Sequence, residues 1–138
     1  MIVKLESTFG KLNFKGTNER GQSLQLSGDK ESVSPMEAVL MAVAGCSSID
    51  IELILTKMRQ DLKKIEVEVN GIRAEETPKV FTKMEIHYIL HGDLKKDKVQ
   101  KAVELSMEKY CSVSLMLKQS VEIAYTFEIR PVTWDESM

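Results

Sequence analysis

The chain has 138 residues, 43% hydrophobic and 29% charged, which is the size and composition of one ordinary globular domain. Its 19 basic and 21 acidic residues leave a net charge of −2, with no electrostatic footprint for nucleic acid or an anionic membrane. Three prolines and seven glycines exclude a low-complexity polymer, and two cysteines cannot build a disulfide scaffold. The expectation is one domain over residues 1–138 with two thiols, Cys46 and Cys111, to explain.

The N-terminus has neither the apolar core nor the cleavage site of a secretory signal. The longest apolar run, residues 38–46, spans nine residues, where a membrane crossing needs about 20. The reading is a cytoplasmic protein with no membrane segment. In that compartment thiols stay reduced, so two cysteines are either inert core residues or a redox couple.

Residues 2–6, 12–14 and 23–27 alternate apolar with polar around a turn-rich stretch at 16–21, which predicts a β-meander of two or three strands. Ser34-Pro35-Met36-Glu37 then opens a helix. The serine hydroxyl caps it, proline suits the first helical position, and glutamate three residues on completes a capping box. The helix is expected to reach about residue 60, with a first half apolar all round that belongs in a core or a subunit interface. After a polar break at 61–64, residues 65–70 predict a half-buried strand.

Residues 81–90 predict a second strand with Met84, Ile86, Tyr88 and Leu90 on one face, ended by His91-Gly92-Asp93. A second helix follows over 96–110, striped by Val99, Ala102, Val103 and Met107, and a short one over 113–119 capped by Ser112. Residues 121–129 predict a last strand, and 130–138 a tail. The class is α+β with antiparallel pairs, no repeats and no dividing linker. So apolar a central helix is expected to be shared with a second subunit.

Cys46 lies mid-helix beside Gly45, where the helix dipole does little for a thiolate; a cationic neighbour would have to come from elsewhere. Glycine in a helix costs about 1 kcal/mol against alanine and is usually kept for close approach of another group. Cys111, just ahead of a helix capped by Ser112, would have thiolate favoured by the dipole. His87 and His91 share a strand face, but about 13 Å apart they cannot share a metal ion. No CxxC, HExxH or phosphate loop is present, so no metal and no cofactor is expected. The residues alone leave both readings of the thiols open.

Ser34-Pro35-Met36-Glu37-Ala38-Val39-Leu40 running into Ala44-Gly45-Cys46 resembles the OsmC/Ohr family of organic hydroperoxide reductases. That family's central helix opens with an Asn/Arg/Ser-Pro pair and carries a cysteine eleven residues after the proline, the interval from Pro35 to Cys46 here. Pro78 to Thr82 with Ile86 to Gly92 is similar to the family's middle strand, and Tyr110-Cys111-Ser112-Val113-Ser114 to its second cysteine motif. The two cysteines stand 65 residues apart, the motifs run in family order over nearly the whole chain, and the SPME…AGC form is most similar to the OsmC-like branch.

The resemblance implies an OsmC-like fold, an intertwined homodimer, and a thiol peroxidase of the oxidative stress response. Cys46 would be the peroxidatic thiolate, oxidised to a sulfenic acid by an organic hydroperoxide. Cys111 would resolve it to a disulfide that an external dithiol reduces. The family's glutamate follows the helix proline directly, where this chain has Met36. Glu37 stands one position late, on the helix face opposite Cys46, and reads as a helix cap that could reach the site only from another subunit or through a distorted first turn. Arg20 is the sole arginine of the N-terminal hairpin that could match the family's arginine; otherwise it is a solvated turn residue. The alternative is a non-catalytic OsmC-like dimer that binds a small apolar ligand at its interface.

Overall fold

A computed structural model describes residues 1–8 and 11–132. Its elements in chain order are β1 (Val3–Thr8), β2 (Asn13–Asn18), β3 (Ser23–Ser27), α1 (Pro35–Lys57), β4 (Asp61–Arg73), β5 (Phe81–Asp93), α2 (Lys96–Leu105), a π-helical turn (Ser106–Tyr110), α3 (Ser112–Leu117) and β6 (Glu122–Arg130). The chain forms two compact units, Met1–Val39 and Leu40–Met138. The boundary falls inside α1, and therefore no linker composition marks it in the sequence.

In the first unit β1, β2 and β3 form the expected meander, antiparallel throughout, with Leu5, Gly16 and Leu24 in register across the three strands. Period-two alternation places Val3, Leu5, Phe14, Leu24 and Leu26 on one face and Lys4, Glu6, Lys15 and Gln25 on the other. Most of that apolar face is exposed, Val3, Leu5 and Leu24 included. The β2–β3 turn is closed by Asn18, whose side-chain oxygen accepts from the backbone N–H of Arg20 and Gln22. At the start of α1 the capping box forms as predicted: Glu37 N–H donates to Ser34 Oγ, and Ser34 N–H donates to the Glu37 carboxylate.

In the second unit α1 buries Val43, Ser47, Ile51 and Leu55, one residue every fourth, which is a single stripe of the helix. Among the described residues the chain's own core covers only that stripe: Met41 in the first half of the helix and Ile49 and Leu53 in the second stay 57%, 61% and 57% exposed. A Cβ at Gly45 would meet nothing within 4 Å among the described residues, so none of those residues supplies the expected close approach. By length and composition α1 could cross a membrane, which the count of the nine-residue run did not register. That count stopped at Cys46, whereas α1 carries apolar residues on past Ser47, Ser48 and Asp50. The helix ends at Lys57 rather than near residue 60, because Arg59 turns into the left-handed region at φ 58°.

The sheet order is β4-β5-β6. Residues 61–64, expected as a break, are instead the start of β4, paired with residues 91–93 across an irregularity between Leu62 and Lys64. Gly92 permits this. Its φ is +145°, and a Cβ there would collide with the Asp61 carbonyl oxygen. Along β5, Met84, Ile86, Tyr88 and Leu90 are all buried, as their spacing predicts. The pairing of β5 with β6 is parallel, correcting the expectation of antiparallel pairs. The helical segment between the two strands is long enough for a crossover, and a crossover returns the chain in the same direction.

The second helix also departs from expectation. α2 buries its predicted stripe of Val99, Ala102 and Val103, but regular helix stops at Leu105 and residues 106–110 widen into the π turn. That turn is closed by Cys111 N–H donating to the Ser106 carbonyl 2.6 Å away. Cys111, not Ser112, is then the N-cap of α3, with no side-chain cap bond. Arg130 closes β6 instead of opening a tail, and residues 133–138 of that expected tail lie outside the described residues.

Candidate active site

α1 and the π turn deliver the two thiols to one place. Cys46 is partly exposed, Cys111 is fully buried, and both are free thiols. Their Sγ atoms and a carboxylate oxygen of Asp50 all lie within 4.8 Å of one another. Asp50 is present because it follows Cys46 by four residues, one helical turn on the same side of α1. Cys111 is present because the π turn inserts an extra residue before it and hands it to the start of α3.

A buried hydrogen-bond chain fixes this arrangement from behind. Tyr88 on β5 donates its phenol to Ser47 Oγ at 2.6 Å and also faces Met107 Sδ at 3.3 Å. Ser47 in turn donates to the Val43 carbonyl one turn back along α1. Ser106, first residue of the π turn, has its hydroxyl 3.0 Å from the Ser47 carbonyl and 3.4 Å from Asp50 Oδ2. Strand, helix and π turn are thereby tied together beside the cysteine pair.

Burial, the largest cause, pushes the Cys111 thiol above its ordinary value; hydrogen bonds from Ser114 pull the other way, and the neighbouring Cys46 sulfur adds to the rise. The expectation that a helix N-terminus would favour its thiolate is thus overturned. α3 has six residues, and desolvation outweighs so short a dipole. Burial likewise raises the Tyr88 phenol to about 12, against the hydrogen bond with Ser47. Tyr88 is therefore a neutral donor at physiological pH.

Two further candidates belong to the first unit. Glu37 is held in the capping box, where hydrogen bonds from the Ser34 backbone and side chain lower its carboxyl below the ordinary value. Arg20 lies in the β2–β3 turn, with its Nε donating to Gln22 Oε1 at 3.1 Å. His87 contacts Thr126 and Glu128, whereas His91 Nε2 is buried with no hydrogen-bond partner among the described residues, 3.8 Å from Glu66. Among the described residues the thiol cluster offers three donors to a cation, one fewer than a structural zinc site and the number of protein donors in a catalytic one. Sequence reasoning missed Asp50, Ser47, Ser106 and Tyr88. The four-residue step from Cys46 to Asp50 was readable; the π turn has no comparable sequence signal.

The OsmC-like protein family model matches residues 28–126, more than half of the chain. The chain is similar to Protein YhfA of Escherichia coli (strain K12), 48% identical over 122 residues that cover 86% of this chain and 90% of that protein. A hypothetical protein from Aquifex aeolicus VF5 superposes with a TM-score of 0.87 at 32% identity, over 94% of this chain and 96% of that one. The organic hydroperoxide resistance protein OhrB of Bacillus subtilis shares the fold at a TM-score of 0.63 and 16% identity, over 93% and 98% of the two chains. With the motif order, the thiol pair and this match in hand, the chain belongs to the OsmC-like family.

Proposed function

We propose that the protein is a cytoplasmic thiol peroxidase that reduces organic hydroperoxides, acting as a homodimer of one OsmC-like domain per chain. The observation that carries this reading is the placement of the Cys46 and Cys111 sulfurs within 4.8 Å of one another, one partly exposed and one buried. The Cys46 thiolate attacks the terminal peroxide oxygen, giving a sulfenic acid and an alkoxide that takes a proton from solvent water and leaves as the alcohol. The Cys111 sulfur then attacks Cys46, water departs, and a disulfide forms that an external dithiol reduces. The fold shared with a protein named for organic hydroperoxide resistance supports the substrate class. Glu37 serves as the cap of α1 and Arg20 as a turn residue, the roles their hydrogen bonds support.

The homodimer is supported by two exposed apolar faces, one on the meander through Val3, Leu5 and Leu24, the other on α1 through Met41, Ile49 and Leu53. Light scattering at micromolar concentration should give twice the chain mass. The paired substitution Ile49→Asp and Leu53→Asp should halve it, and a wild-type monomer would remove the dimer from the proposal.

For the chemistry, one equivalent of cumene hydroperoxide added to reduced protein should consume both thiols, and Cys111→Ser should accumulate a sulfenic acid trapped by dimedone. Thiols that survive excess peroxide would refute the peroxidase. That outcome would favour the non-catalytic dimer with an apolar ligand, the reading that Met36 in place of the family's glutamate supports.

A further inference from the structure

The mechanism above leaves one proton transfer without an agent. Cys111 is fully buried and its thiol is held protonated, yet it must lose that proton to attack Cys46. The group it displaces from a sulfenic acid is a hydroxyl, which leaves poorly unless it gains a proton at the same moment. One group must therefore take a proton from one sulfur and give it up beside the other.

Asp50 is the group placed to do so. A carboxylate oxygen of Asp50 lies within 4.8 Å of both sulfurs. Among the described residues it takes part in no ion pair, and its one hydrogen-bond donor is Ser106 Oγ at a long 3.4 Å. The single proton of that hydroxyl has a closer acceptor, the Ser47 carbonyl at 3.0 Å. The carboxylate is thus oriented by the π turn without being saturated by it, and its remaining lone pairs are free to accept.

We propose that Asp50 is the proton relay of the resolving step, an inference that rests on reading the two thiols as a peroxidatic pair. Its carboxylate takes the proton of the Cys111 thiol as that sulfur attacks Cys46. The S–O bond of the sulfenic acid breaks, and the departing hydroxyl takes the proton from Asp50 and leaves as water. One S–S bond forms, one S–O and one S–H bond break, and Asp50 ends as it began. The peroxide already supplied the oxidising equivalents when it formed the sulfenic acid.

Two leaving groups test this on one protein. In the first arm, peroxide-oxidised wild type and Asp50→Asn are followed by dimedone trapping and free-thiol count. Asp50→Asn should slow disulfide formation by about 100-fold or more, the low end for a lost general acid–base group, with sulfenic acid accumulating. In the second arm, Cys46 is converted to its mixed disulfide with 5-thio-2-nitrobenzoate. Attack by Cys111 then releases a coloured thiolate that needs no proton to depart. Here the departing group needs no proton but the Cys111 thiol must still lose one, so Asp50→Asn should slow this arm by at least about tenfold less than the first.

Equal slowing in both arms would overturn the relay, because delivery of the proton to the leaving hydroxyl would then contribute nothing. Unchanged resolution in the first arm would overturn it outright. If cumene hydroperoxide leaves both thiols intact, the peroxide reading fails, and peracetic acid then generates the same sulfenic acid so that the two-arm comparison still decides the role of Asp50. Asp50→Glu, which keeps the carboxylate, should restore resolution to within about tenfold of wild type.

Discussion

Removing the Tyr88 hydroxyl and removing its acceptor are chemically different events, and their coupling tests the buried chain behind the cysteines. In Tyr88→Phe the 2.6 Å bond to Ser47 is lost, but Ser47 still donates to the Val43 carbonyl and no buried group is orphaned. The cost is that of one ordinary hydrogen bond, about 1 kcal/mol. In Ser47→Ala the phenol loses its oxygen acceptor while fully buried, keeping the Met107 sulfur as a weak partner. Leaving such a donor unsatisfied costs about 1–3 kcal/mol, reduced by roughly 0.5 kcal/mol because alanine is the better helix former. Adding Tyr88→Phe to Ser47→Ala removes the orphan. The second substitution should then be neutral or stabilising, by up to about 1 kcal/mol. Urea unfolding of all four reduced proteins at one fixed concentration measures the cycle. Equal costs of Tyr88→Phe in the two backgrounds, within about 0.5 kcal/mol, would mean that the bond is not formed as described.

Two further outcomes follow from the packing and the charges. Gly71→Ala places a Cβ 2.5 Å from Phe81 Cε1 and 2.9 Å from Leu40 Cδ2, and this overpacking should lower stability by about 1–3 kcal/mol, read as a reduced urea midpoint. The Glu37 carboxyl is held below its unfolded value by bonds from Ser34, so its contribution is present above that value and lost as pH falls through the lowered one. Glu37→Gln should therefore lower the melting temperature at neutral pH, with the gap to wild type closing below about pH 4.5, the ordinary value for this group. A gap that persists unchanged at acid pH would contradict the capping role.

The sequence alone determined much of this protein, wherever the controlling physics is local. Alternation in β5 and the stripe of α2 follow from side-chain periodicity, and the buried Met84, Tyr88, Val99 and Val103 match it. The capping box of Ser34 and Glu37 spans four residues and formed as read. The motif order around Cys46 and Cys111 pointed to the family that the comparisons then showed. Only tertiary structure decided the rest. Parallel pairing of β6 depends on where a crossover returns the chain, and the π turn at Ser106–Tyr110 answers to packing, not to propensity. The same turn turned the two cysteines of the composition into a cluster. It seats Cys111 in a buried cap position where desolvation outweighs the helix dipole, and aligns it with Cys46 and Asp50 on a different helix. Residues so far apart in the chain share no local signal, because only the folded core fixes the distance between them.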